Sequence, residues 1–282
     1  MAKLLEGKPI AEKIREQIKQ EILKLNSKPV LASIQVGENP GTEIYIRSQK
    51  KVADILGVDF QLHKLDSDAT EEKLIGLIQS LNETKGVNGI IIQVPLLAEM
   101  NYKKISQSVL PEKDAEGIHP VNIGKILFGA SEILPCTPAA VMELLKAAGI
   151  DLYGREVVVV GHSEIVGKPL SLLLLEKFAT VTVCHIGTSK VGKLEEHVKR
   201  AEVLIVAVGK AGLIKGEWIK EGAIVVDVGI NRAGDKIVGD VEFEEAQKRA
   251  SWITPVPGGV GPLTVTMLMR NLIEAAKLQH KN

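Results

Sequence analysis

Residues 157–169, VVVVGHSEIVGKP, decide how the chain reads. Val157 to Val160 do not alternate with polar residues, which excludes a half-exposed strand and predicts one buried on both faces of a parallel sheet. Gly161 follows at once, then Ser163, and then Gly167 and Pro169 open an apolar run, residues 170–175, that reads as a helix. Pro169 suits a first helical turn, where its missing N–H costs nothing. Strand, glycine turn and helix in that order form the context in which bare backbone N–H groups approach a pyrophosphate. The spacing Gly161-x-Ser163-x-x-x-Gly167 departs from G-x-G-x-x-G, so a purely structural βα turn is the competing reading.

Outward from that turn, the pattern βαβαβ continues. It runs through strands at 180–184, 203–208 and 223–228, with helical stretches near 193–199, 217–220 and 241–249. This predicts a doubly wound nucleotide domain. Towards the N-terminus, Ile10, Ile14, Ile18, Ile22 and Leu25 recur at helical spacing. A strand at 30–36, a helix at 42–56, a strand at 58–65, a helix at 70–81 and a buried strand at 89–94 follow. That αβαβαβ order predicts parallel pairing with right-handed crossovers. Residues 95–138 lose regular periodicity and carry five prolines, and loops of that length are usually functional. A helix at 139–148 bridges into the second half. Residues 231–239 read as a turn region, and 255–262, PVPGGVGP, as irregular. A last helix at 263–277 can return to the first domain. The expected division is therefore 1–138 plus 263–282, and 139–262.

Composition narrows the function. The 282 residues carry 35 basic and 35 acidic side chains, so neither a nucleic-acid surface nor an acidic tail is indicated. Only 3% are aromatic, which disfavours base stacking, and Cys136 and Cys184 are far apart without metal-ligand spacing. No metal site is expected. The charged, helical N-terminus does not read as a signal peptide, and no apolar run approaches a membrane span, so the expectation is a soluble cytoplasmic protein.

Among candidate residues, Tyr45, Gln49, Val52 and Leu56 share one helix face, and a glutamine on a buried stripe needs partners or a cavity. A satisfied core amide is the alternative. Gln93 ends a buried strand, where open α/β sheets gather ligands. Glu112, Asp114 and Glu116 cluster in the long loop, where solvated carboxylates are the alternative. No Ser-His-Asp order or P-loop appears.

Several of these stretches together resemble the bifunctional methylenetetrahydrofolate dehydrogenase/cyclohydrolases. They are Tyr45 in TEIYIRSQKK, GIIIQVPL around Gln93, PEKDAEGIHPVNIG at 111–124, PCTP at 135–138 and VVVGHSEIVGKP at 158–169. TVTVCH at 180–185, VVDVGIN at 225–231 and TPVPGGVGPLT at 254–264 complete the set. The resemblance implies an N-terminal αβα folate domain and a Rossmann-like nucleotide domain, with a cleft between them and the C-terminal helix back on the first. It implies hydride transfer from 5,10-methylenetetrahydrofolate to NADP, hydrolysis of the methenyl product to 10-formyltetrahydrofolate, and a homodimer. It assigns catalysis to Tyr45, Gln49, Gln93 and Glu116, and substrate binding to Tyr45, Val94, Pro95, Pro257, Gly258 and Gly259. Nucleotide binding falls to Gly161, His162, Ser163, Ile165, Val166, Gly167, His185, Ile186, Thr188, Gly229 and Ile230.

The chain departs from that family in three places. Gln49 stands where the family has its proton-handling lysine, and a neutral amide neither gives nor takes a proton near neutrality. Lys50, about a hundred degrees round the helix, should not reach the same point. Glu116 stands where the family has an aspartate on the pterin, and the two changes form a candidate compensating pair. Hydride transfer depends on positioning, so the dehydrogenase is expected to survive and the cyclohydrolase to be weak or absent. His162 and Ile186 replace an arginine and a serine that favour the extra phosphate of NADP. However, Cys184-His185 ends its strand without a carboxylate for a ribose diol, and NADP is therefore expected ahead of NAD. A nucleotide-binding regulator without chemistry, or another Rossmann dehydrogenase, is the alternative from a different class.

Overall fold

The computed structural model describes residues 1–234 and 236–280; residue 235 of the expected 231–239 turn, and residues 281–282 of the expected first domain, lie outside the described residues. The chain divides into two compact units. The first holds Lys13–Cys136 and the segment from Val265 onward, the second Met1–Glu12 and Thr137–Thr264. In chain order the elements begin β1 (Lys3–Leu4), α1 (Gly7–Ile22), β2 (Val30–Val36), α2 (Pro40–Leu56), β3 (Asp59–Leu65), α3 (Glu71–Glu83) and β4 (Gly89–Ile92). Short helices α4 (Tyr102–Ser106) and α5 (Pro120–Leu127) and the longer α6 (Cys136–Ala147) come next. They are followed by β5 (Glu156–Val160), α7 (Gly167–Leu175), β6 (Thr180–Cys184), α8 (Ile186–Lys190), α9 (Leu194–Arg200) and β7 (Val203–Val206). The chain ends with β8 (Ile224–Asp227), β9 (Asn231–Ala233), β10 (Lys236–Val238), α10 (Phe243–Arg249), β11 (Trp252–Ile253) and α11 (Val260–His280).

The first unit is built on a three-stranded sheet in the order β3-β2-β4, parallel throughout. Alternate residues of β2 and β4, among them Ile34 and Ile90, pack on Leu74 and Ile78 of α3. From Val265 onward α11 belongs to this unit, where Asn271 donates to the carbonyls of Ala115 at 2.9 Å and Leu134 at 2.7 Å. Gln279 likewise donates to Asn88 O at 2.8 Å, and a Cβ at Gly89 would meet Leu272 at 2.7 Å. The stretch expected as loop, 95–138, contains α4 and α5. These have five and eight residues, too short for a hydrophobic period to show.

One residue there has a structural role that its sequence hides. Lys113 is 5% exposed, and its ammonium donates to the carbonyls of Leu81 (3.1 Å), Asn82 (2.8 Å) and Thr84 (2.8 Å) at the end of α3. A cation there satisfies orphan carbonyls and complements the helix dipole, while burial pulls its pKa below the ordinary lysine value. Lys113→Met keeps the stem and strands three carbonyls. We expect a loss of about 2–4 kcal/mol, read as a lowered urea midpoint with the slope unchanged.

The second unit carries a six-stranded sheet, β1-β11-β8-β7-β5-β6, parallel at every pair. β5 lies between β6 and β7, so the winding reverses direction beside it and creates a switch point at its carboxyl end. Val157 to Val160 are all at most 2% exposed, as a central strand covered on both faces requires. The first twelve residues differ from the expected division. β1 pairs in parallel with β11, and Gly7 N donates to Gly258 O at 2.9 Å, which places them in the second unit. Two-residue strands such as β1 and β11 are below what alternation can signal. Within the expected turn region, β9 and β10 pair as antiparallel strands.

Candidate active site

In the first unit, the switch point lies between β2 and β4, and buried polar side chains collect there. Gln93, directly after β4, donates from Nε2 to Ser33 Oγ at 3.0 Å and to Gln49 Oε1 at 2.9 Å. Gln49 is fully buried on α2, and its Nε2 makes no hydrogen bond. An orphaned buried donor costs about 1–3 kcal/mol unless a ligand takes it up. Lys50 faces solvent and bonds Asp54 at 3.1 Å, so it does not substitute for a lysine at 49. Thr42 Oγ1 donates to Val94 O at 3.0 Å, fastening the exposed Val94–Pro95 turn to the start of α2.

Tyr45 is half-buried, one turn before Gln49. Its pKa is raised, first by burial, then by Cys136 and Glu116, while the Gln49 amide opposes the rise. Gln49 and Glu116 are thus both neighbours of Tyr45, although the amide oxygen of Gln49 is taken by Gln93 and not by Glu116. The phenol stays protonated at any physiological pH and cannot serve as a base. Glu116 is pushed up to about 8 by burial and by Asp114, with the Ile92 backbone opposing. Asp114 shapes the loop that presents it, accepting from Gly117 N (3.0 Å), His119 N (2.8 Å) and Asn122 Nδ2 (2.9 Å). Cys136 donates its backbone N–H to Glu116 O at 3.2 Å, and its buried thiol is pushed well above the usual range.

Sequence reasoning missed Ser33 and Gln35. Both are buried and sit on one face of β2, and Gln35 Oε1 has no partner. The available signal was two polar residues at alternate positions of the otherwise apolar VLASIQV.

In the second unit the expected nucleotide residues gather at the carboxyl ends of β5, β6 and β8. Gly161 has φ +125°, and a Cβ on it would sit 2.3 Å from Ala207 O; one on Gly167 would sit 2.0 Å from Gly161 O. These contacts hold the strand, the turn and α7 backbone to backbone. Val166 caps α7 without a side-chain bond; Lys168 N donates instead to Ser163 O at 3.1 Å and Leu170 N to Val166 O at 2.9 Å, while Pro169 brings no N–H to that turn. Ser163 Oγ accepts from Val166 N at 3.2 Å, and Ile165 and Ile186 are exposed. His185 caps α8, its Nδ1 accepting from Gly187 N at 3.1 Å while Thr188 Oγ1 accepts from His185 N at 3.2 Å. α8 itself was not foreseen.

After β8, Gly229 N donates to Asp227 Oδ1 at 3.0 Å, and Ile230 is exposed. Asp227 also accepts from Asp240 N at 3.0 Å and Val241 N at 2.9 Å, and burial lifts its carboxyl to about 6. Asp240 was not singled out by sequence, yet it accepts from Val208, Gly209 and Lys210 N–H groups and from Asn231 Nδ2, all within 3.0 Å. These two aspartates set the loops beside the switch point. Pro257, Gly258 and Gly259 belong to this unit, in the turn before α11, where Gly259 N donates to Pro255 O at 2.8 Å. Among the described residues no cluster of His, Cys, Asp or Glu could hold a metal ion.

The catalytic-domain model of the tetrahydrofolate dehydrogenase/cyclohydrolases matches residues 5–116, and the NAD(P)-binding-domain model of the same family matches 135–280. The chain belongs to this family. Similarity extends over the whole length: the bifunctional protein FolD of Bacillus pumilus is 49% identical over 98% of both chains. Among solved structures, the FolD dehydrogenase/cyclohydrolase of Campylobacter jejuni superposes with a TM-score of 0.94 at 43% identity, covering 99% of each chain. The Trypanosoma brucei family member, solved with NADP cofactor and inhibitor, gives 0.95 at 35% identity, covering 100% of this chain and 99% of that one. Against the family pattern the Gln49 amide is the notable feature of the first unit. It is buried, half-satisfied and unable to exchange protons.

Proposed function

We propose that this protein oxidises 5,10-methylenetetrahydrofolate to the 5,10-methenyl form with NADP, as an enzyme of one-carbon metabolism. The observation that carries the reading is the strand–glycine turn–helix at the switch point, where Gly161 and Gly167 bring β5 and α7 backbone to backbone, in a chain of this family. The glycine turn fits a dinucleotide because this close packing, which a Cβ at either glycine would break, sets the tight strand-to-helix turn that such a site is built on. Gly161, His162, Ser163, Ile165, Val166, Gly167, His185, Ile186, Thr188, Gly229 and Ile230 would hold it. When bound, the nucleotide supplies the hydride acceptor.

The chain's own residues then act by position. Tyr45, Val94 and Pro95 of the first unit bind the folate. Gln93 holds Gln49, whose free N–H is a donor for an acceptor atom of the substrate. Glu116, with its carboxyl near 8, is largely protonated at neutral pH and donates a hydrogen bond to the pterin. None of these must move a proton for hydride transfer, since the cation is stabilised by its own adjacent nitrogen. Adding methylenetetrahydrofolate to the protein with NADP should reduce the nucleotide, followed by absorbance, whereas tetrahydrofolate alone should not. No reduction with either NADP or NAD would sink the proposal.

The family's second reaction, hydrolysis to 10-formyltetrahydrofolate, needs proton transfers to and from water. The burial of Gln49 and the outward course of Lys50 favour a reading in which this step runs slowly here. We also propose a cytoplasmic homodimer. No helix among the described residues is long and apolar enough to cross a membrane. Support for self-association comes from β6, an edge strand with Thr180 and Val183 exposed and the exposed Phe178 just before it.

A further inference from the structure

Ser33 sits in the middle of β2, the central strand of the first sheet, level with Leu62 of β3 and Ile91 of β4, and is fully buried. Its neighbours Ala32 and Ile34 pack towards α3, so Ser33 lies on the opposite face of the sheet. Gln93 is clamped to this strand at two points. Its backbone N–H donates to Ile34 O at 2.8 Å, and its Nε2 donates to Ser33 Oγ at 3.0 Å. The second proton of that nitrogen goes to Gln49 Oε1 at 2.9 Å. Both protons of the Gln93 amide are thus in use, and Gln49 Nε2 is the end of the chain left without a partner. The three side chains are at most 3% exposed, so a lost partner is not replaced from bulk solvent.

We propose that Ser33 is a positioning residue for the folate site: by anchoring the Gln93 amide to β2, it fixes where Gln49 presents its free N–H. The inference rests on the reading of the first unit as the place where folate binds. Without the anchor, Gln93 is held by its backbone alone, on a long side chain with many rotamers, and one proton of its buried amide is unpaired. The amide then gains by turning away from Gln49, whose oxygen is released in turn. A serine hydroxyl accepts or donates, so it holds either orientation of the Gln93 amide, whereas alanine holds neither. Ser33 acts through Gln93 and Gln49 and not by its own contact with substrate. A displaced Gln49 donor weakens the ground state and the transition state alike, which raises KM and leaves kcat.

A double-mutant cycle on the full chain tests this, with hydride transfer to NADP followed by absorbance and tetrahydrofolate binding followed by calorimetry. Ser33→Ala should raise KM for methylenetetrahydrofolate and Kd for tetrahydrofolate about tenfold, the worth of a buried hydrogen bond, with kcat and KM for NADP changed by less than about twofold. Ser33→Cys, which fills the space but bonds an amide weakly, should repeat the rise without opening a void. Ser33→Thr keeps the hydroxyl and should restore most of the affinity. In a Gln93→Ala background, where the anchor holds nothing, Ser33→Ala should add almost nothing to the loss. Penalties that multiply across the pair, or an unchanged folate KM in both Ser33→Ala and Ser33→Cys, overturn the inference. So does a lowered melting temperature with folate binding intact, which marks a hydroxyl that serves the core alone. Absence of both hydride transfer and folate binding in the wild type would instead remove the folate reading itself.

Discussion

Gln49→Lys is expected to raise the rate of methenyltetrahydrofolate hydrolysis by about 10²–10⁴-fold, the usual worth of a positioned proton-transfer group, and to leave hydride transfer within a few-fold. The site is built to receive the change. Position 49 is fully buried beside Tyr45, and Gln93 already bonds the side chain there at 2.9 Å. A half-turn of the Gln93 amide replaces its donor with an oxygen that a lysine ammonium can use. Burial lowers the pKa of a lysine in this position, which suits proton exchange near neutrality. Glu116, lifted to about 8, is the group nearest to neutral titration around Tyr45 in the wild type. If Gln49 and Glu116 compensate for one another, as their shared neighbour Tyr45 allows, hydrolysis in the wild type will already be fast. The substitution will then gain nothing. Stopped-flow decay of added methenyl substrate separates these outcomes.

Gly161→Ala is expected to weaken nucleotide binding at least about tenfold, which is 1.4 kcal/mol, and to destabilise the second unit by about 2–4 kcal/mol. Two independent penalties meet at this residue. Its φ of +125° is one that side chains rarely adopt, and the new methyl would lie 2.3 Å from the Ala207 carbonyl oxygen, which is backbone and cannot swing aside. Relief requires β5 and the chain after β7 to part at the switch point, moving the start of α7. Thermal melting with and without NADP reads both effects. An unchanged melting temperature together with an unchanged ligand-induced shift would remove the turn from the account.

Much of this architecture was legible because the long elements carry period and punctuation. VVVV between polar flanks, VLASIQV and the stripe through Tyr45 and Leu56 each force one kind of structure, and each forms it: β5, β2 and α2. The family motifs made the site residues legible. What sequence did not disclose is either short or long-range. β1 and β11 have two residues each, and α4 and α8 five, too few to show a period. Nothing local marks Lys113 or Asp240, and Asp114 reads equally as a solvated carboxylate. Their burial depends on carbonyls and N–H groups brought from up to 32 residues away, which no local pattern records. The allegiance of residues 1–12 had the same cause, a parallel pairing across almost the whole chain.

The central claim is that hydride transfer here relies on placement alone, because a proton-inert amide occupies position 49. Its most direct test is a single time course with methylenetetrahydrofolate and NADP, recording reduced nucleotide and both folate products together. The account predicts that methenyltetrahydrofolate accumulates in step with reduced nucleotide and decays far more slowly than it forms. The prompt appearance of 10-formyltetrahydrofolate, with no methenyl stage, would contradict it.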